Sequence, residues 1–128
     1  MVERGLPDDV VRFIDDHVSS VAQLEILLLL VAQAGADVTP EVAARELRMD
    51  PTWAATELRA LVELGLIANG NGVGPTYRFA PARPEDERIV RRVIDAYAER
   101  RAAVVTLIYQ KPSKTVRTFA DAFRLRRD

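Results

Sequence analysis

The chain predicts a mainly α-helical domain carrying one small β-ribbon. Three observations carry this. The stretch from Asp50 to Phe79 reads as a helix, a glycine stop, a short apolar run, a glycine-rich turn and a second short run. Two further helix-start signals stand upstream, Ser20 with Gln23 and Thr39-Pro40-Glu41; the first fits a capping box, and the second joins an N-cap to proline and an acid in the first turn. Apolar residues fill 48% of 128 positions, which is enough for one real core in a single domain with an appendage.

Composition narrows the function classes. The chain has no Cys, which excludes disulfides, thiolate metal sites and a cysteine nucleophile. Met1-Val2-Glu3-Arg4 leads into acidic residues rather than a signal-peptide core. The longest apolar run, Ile26 to Ala32, is far too short to span a bilayer. A soluble, cytoplasmic protein without membrane partners is expected. Net charge is −1 but unevenly spread. Residues 1–82 hold six arginines against twelve carboxylates, a net of −6; residues 83–128 hold twelve Lys or Arg against seven carboxylates, a net of +5. Such asymmetry bears on partners.

Taken in order, Pro7-Asp8-Asp9 opens a first helix with carboxylates near its positive end. Val10, Ile14 and Val18 share its apolar face. The second helix runs from Ser20 to about Ala34, where Gly35 stops it. Leu24, Leu27, Leu28 and Val31 make one face, and Ile26, Leu29 and Leu30 cover most of the rest. A helix apolar nearly all round is buried from two directions. The third helix, from Thr39-Pro40, is short and uses Val42, Ala43, Leu47 and Met49. The fourth follows a tight turn at once: Asp50 is its N-cap and Pro51 its first residue. At about 100° per residue, Ala54, Ala55, Leu58, Leu61, Val62 and Gly65 fall on one side. Gly65 ends it in the left-handed conformation. Leu66-Ile67-Ala68 and Thr76-Tyr77-Arg78-Phe79 then read as strands joined by Asn69–Gly74.

Two helices across a tight turn, then a ribbon, form a winged helix-turn-helix with N- and C-terminal helical extensions. The residues Thr39-Pro-Glu-Val-Ala-Ala-Arg-Glu-Leu47, Leu58-Arg-Ala-Leu-Val-Glu-Leu-Gly-Leu-Ile67 and Tyr77-Arg-Phe79 resemble bacterial winged helix-turn-helix regulators of the MarR or ArsR kind. The match covers roughly residues 20–80 and singles out no one family. The resemblance implies binding of double-stranded DNA, with the fourth helix in the major groove and the wing on the backbone.

Past Pro81 and Pro84 the chain changes character, dividing it into a winged-helix part (1–82) and a helical extension (83–128) within one folded unit. Glu85 to Gln110 reads as one helix of about 37–39 Å. Its apolar arc is wide, and a homodimer held by Ile89, Val93, Tyr97, Val104 and Ile108 is expected. Arg101 lies inside that arc, either as a snorkelling stem or as an interfacial cation for an acid such as Glu25 or Asp16. Ser113 caps a last helix to about Arg126, whose stripe of Val116, Phe119 and Phe123 is ringed by Lys111, Lys114, Arg117, Arg124, Arg126 and Arg127. Phe119, Phe123 and Arg124 make it an interaction tail, for the dimer mate or for another protein.

No catalytic set stands out, and the chain reads as a non-enzyme. His17 is the only histidine and has no second ligand type nearby. Asn69–Gly74 lacks a Walker lysine and a following helix. Asp8-Asp9 and Asp15-Asp16 have nothing to fix a cation geometry. No metal and no cofactor are implied. Two functions compete. A DNA-binding regulator would use Arg45, Arg48, Thr52, Trp53, Thr56, Arg59 and Arg78, with Arg59 suited to guanine and the hydroxyls to phosphate. Glu57 and Glu63 on the same helix oppose it, since phosphate neutralisation supplies much of DNA affinity. A winged-helix protein-interaction module would instead use the Trp53 face or the basic C-terminal helix.

Overall fold

The computed structural model describes residues 5–33 and 35–110. They form α1 (Asp8–His17), α2 (Val21–Ala32), α3 (Pro40–Leu47), α4 (Pro51–Glu63), β1 (Ala68–Asn69), β2 (Tyr77–Arg78), α5 (Pro84–Glu99) and α6 (Arg101–Gln110). The expected tail helix, with Phe119, Phe123 and Arg124, lies outside the described residues.

Local chemistry sets the element starts. Ser20 Oγ accepts from the Gln23 amide, Thr39 Oγ1 from the Val42 amide and Asp50 Oδ1 from the Thr52 amide. Each satisfies one of the amides that a helix start leaves over. Helix α4 ends as expected: Gly65 sits at φ 78°, its amide bonds to the Val62 carbonyl, and the Leu66 amide bonds to the Leu61 carbonyl. That pair of bonds is a Schellman motif. Helix α3 ends differently. Arg48 takes the left-handed conformation at φ 56°, although it is not glycine.

Helix α2 is the centre. Leu24, Ile26, Leu27 and Leu30 are buried on it, and it packs on α3 and α4. Helix α1 covers α5 and α6 through Val10, Phe13 and Ile14. Of the positions assigned to the core from sequence, Leu24, Leu58, Leu61, Leu66 and Ile67 are buried; Leu28, Val31, Val42, Leu47 and Val62 are half-buried against them. His17 stacks on Phe13 at 4.6 Å, a packing role.

The ribbon is shorter than expected. β1 and β2 pair antiparallel, Ala68 opposite Arg78 and Asn69 opposite Tyr77. A third segment, absent from the sequence reading, joins it: Val38 and Tyr77 exchange both backbone hydrogen bonds, at 2.7 and 2.9 Å. The wing is thereby tied to the chain immediately before α3.

One expectation is corrected. Residues 85–110 are two helices rather than one, broken at Arg100 with φ −135° and ψ 54°. Beside the break, Glu25 of α2 accepts from Tyr97 Oη and from Arg101 Nη2, both at 3.5 Å, and the Arg101 guanidinium lies 4.9 Å from the Tyr97 ring centre. Burial, then the Glu25 carboxylate, raise the Tyr97 phenol above its ordinary range, against the opposing pull of Arg101. A phenol raised on folding contributes stability below the ordinary tyrosine range and loses it as pH climbs through the raised value.

Leu58 is fully buried on α4. Leu58→Ala is expected to lower unfolding free energy by about 2–5 kcal/mol, measured by urea denaturation. A change within error would mean that α4 presents another face to the core.

Candidate nucleic-acid interface

Ala54, Leu58 and Leu61 seat α4, and this fixes which side chains point outward. Thr52, Thr56 and Arg59 are exposed on the opposite face. They are not independent. Thr56 Oγ1 donates to the Thr52 carbonyl at 3.0 Å, and Arg59 Nη2 reaches Thr56 Oγ1 at 3.5 Å. The hydroxyl therefore turns its acceptor side to Arg59. Arg45 and Arg48 are exposed on the end of α3 and the turn after it, and Arg78 is half-buried on β2. The structure thus places the polar residues on two successive helices and the wing.

Trp53 is different. It is 49% exposed, and its indole N–H donates to Glu57 Oε2 at 3.0 Å. It stands on the flank of α4, where it lines a cleft of about 410 Å³ with Ser19, Ser20, Val21, Ala22, Ile108 and Tyr109. Its neighbours are the start of α2 and the end of α6, so it borders the outward face rather than lying within it. Tyr109, 77% exposed at the same cleft, was not singled out from sequence. Its position against α4 depends on the break at Arg100, which has no sequence signal.

The wing has an anchor that sequence reasoning also missed. The Asp37 carboxylate accepts from the Asn71 amide at 3.0 Å, and Thr76 Oγ1 accepts from the Gly72 amide at 3.3 Å. Gly70 passes so close that a Cβ there would collide with both Asp37 and Thr76. The glycine is needed for close backbone approach. The turn's Asn71 and Gly72 amides are already satisfied by an acid and a hydroxyl, which leaves no cradle there for phosphate. The tip beyond them is open, with Val73 fully exposed.

The five residues expected at a dimer seam are placed inside the chain. Val93, Tyr97, Val104 and Ile108 belong to its own core, and Ile89 is half-buried against it. A second chain could not reach the four buried ones without opening that core. Among the described residues, no three of His, Cys, Asp or Glu come together to hold a metal ion, and no helix is long and apolar enough to cross a membrane.

The arrangement is that of a winged helix-turn-helix, and solved structures of the MarR family share it. A mutant MarR from E. coli is 14% identical with a TM-score of 0.55, over 93% of this chain and 85% of that one. A MarR family transcriptional regulator from Streptomyces coelicolor is 18% identical with a TM-score of 0.57, over 92% and 80%. A MarR family regulator from a Rhodococcus species is 20% identical with a TM-score of 0.54, over 91% and 80%. At these identities the likeness shows the fold, which is the MarR kind of winged helix. No protein-family model matches the sequence, and no curated protein matches it.

Two predictions follow from the local geometry. Asp37→Ala should speed hydrogen exchange at the Asn71 amide, read by NMR, while global stability changes little; unchanged exchange would mean that the carboxylate does not hold the wing. Arg48→Gly should raise thermal stability, because a non-glycine residue in the left-handed region costs about 1–2 kcal/mol. A lower melting temperature would mean that the Arg48 side chain has stabilising contacts that outweigh this cost.

Proposed function

We propose that this protein is a DNA-binding transcriptional regulator acting as a homodimer. The carrying observation is the outward face of α3 and α4, where Arg45, Arg48, Thr52, Thr56 and Arg59 are exposed together while the apolar side of α4 is fully buried. Arg59 is the base reader, suited to the paired acceptors of guanine. Arg45, Arg48 and Arg78 neutralise phosphates. The wing reaches the backbone with its open tip, its base pinned by Asp37.

The acidic balance of residues 1–82 makes this a weak electrostatic binder. Its affinity should depend on a symmetric pair of reading heads and on the basic residues of 111–128. A second reading has its own support. Trp53 and Tyr109 expose aromatic surface around one cleft, which suits a protein partner.

Arg59→Ala should weaken sequence-selective binding more than non-specific binding, measured by titrating duplex DNA at several salt concentrations. Arg45→Ala, Arg48→Ala or Arg78→Ala should weaken both, each reducing the salt slope by about one. Absence of binding at low ionic strength by the folded dimer would leave the protein-interaction reading in place of this one.

A further inference from the structure

Nothing in the local sequence ends α5. Residues 96–105 read Ala-Tyr-Ala-Glu-Arg-Arg-Ala-Ala-Val-Val. Sharp helix breaks have causes such as proline, glycine or serine pairs, or an inserted side chain, and this stretch contains no Pro, Gly or Ser. Alanine and arginine are strong helix formers. Yet Arg100 leaves the helical region. The backbone ladder runs as far as the Arg100 amide on the Ala96 carbonyl and resumes with the Val104 amide on the Arg100 carbonyl. The amides of Arg101, Ala102 and Ala103 begin a new helix, and a helix start gives its first amides no earlier turn to bond to.

The break is held from outside. Val104, Leu107 and Ile108 are buried, with α6 packed on α1 and α5. Tyr97 and Arg101 meet on Glu25 of α2. The Arg100 guanidinium lies against Gly5, where a Cβ would stand 2.9 Å from it. A continuous helix would regain the missing backbone bonds, but it would lift residues 104–108 out of their seat. A second copy of the chain offers the same seat.

We infer that the α5–α6 junction is a two-state hinge: bent at Arg100 in the single chain, and continuous from Pro84 to Gln110 in a dimer whose α6 helices exchange places. Such an exchange costs little, because each α6 finds the same contacts in the other chain. It rests on the dimer proposed above and gives Val93, Tyr97, Val104 and Ile108 a role in it, since the core they form would then join two chains. It also links assembly to DNA reading. Ile108 and Tyr109 wall the cleft beside Trp53, and in the exchanged dimer that wall comes from the other chain.

The chain has no Cys, so Arg88→Cys with Gln110→Cys, both at exposed positions, accept spin labels uniquely. Diluting labelled chain into unlabelled chain leaves only distances within one chain. A continuous helix places the two positions about 33 Å apart, and the bent form places them closer. The long distance should grow with total protein concentration. Its ratio to the short one should be about four- to fivefold higher with Arg100→Ala than with Arg100→Gly, because both variants lose the same side-chain contacts and differ in helix propensity. Circular dichroism checks that each variant is folded. A dimer by light scattering that shows the short distance alone would overturn the hinge while leaving the dimer. A monomer at every concentration would overturn both. Equal ratios in the two Arg100 variants would overturn a switch set by helix propensity.

Discussion

Helix α2 has no polar face to turn to water, and the fold follows from covering it. Leu24, Ile26, Leu27 and Leu30 are buried, while Leu28, Leu29 and Val31 are half-buried around them. Apolar surface of this extent must be shielded on more than one side. The helix-turn-helix covers one side through Ala43, Ala44, Leu58 and Leu61. On another, Glu25 reaches Tyr97 and Arg101 at the α5–α6 junction. The reading helix is therefore set on the same support that the hinge is clamped to. A shift at either one has to pass through α2, because a close-packed interior deforms poorly.

The wing answers a different constraint. A glycine-rich turn of this length has little side-chain packing of its own, and its tip is open to solvent. Order comes from its base. The Val38 bridge and the Asp37 carboxylate hold it from the segment leading into α3. Wing and α3 are thereby oriented together, through backbone bonds and one side chain rather than through a broad apolar contact. This uses the acidity of the winged-helix part for structure: Asp37 is occupied by the Asn71 amide. Glu57 is likewise engaged, by the Trp53 indole. Two of the carboxylates that oppose DNA binding thus have local donors that fix where their charge sits.

What the sequence made legible was whatever is decided within a few residues. The N-caps at Ser20, Thr39 and Asp50 and the glycine stop at Gly65 depend on chemistry three or four positions away, and each stands where expected. The outward placement of Thr52, Thr56 and Arg59 followed from helical phase alone. What was not legible depends on distant partners. Asp37 meets Asn71 across 34 positions, and no pattern in either segment announces the other. Arg48 adopts a left-handed conformation that only glycine would have advertised. Trp53 could be placed on the exposed side of α4, but its cleft with Tyr109 needs the chain to turn at Arg100.

That turn shows why propensity misled at residues 85–110. Local preference favours one helix by a small amount per residue, of order tenths of a kcal/mol. Burying Val104, Leu107 and Ile108 is worth about 1.5–3 kcal/mol for each side chain. Within a single chain the second term wins and the helix breaks. The competition is decided by whether the seat for α6 must be found in the same chain. With two chains, a continuous helix can satisfy both preferences at once. The wide apolar arc read from sequence and the bent junction seen in the structure are then the same residues under two conditions. Which one prevails is set by chain concentration rather than by sequence alone.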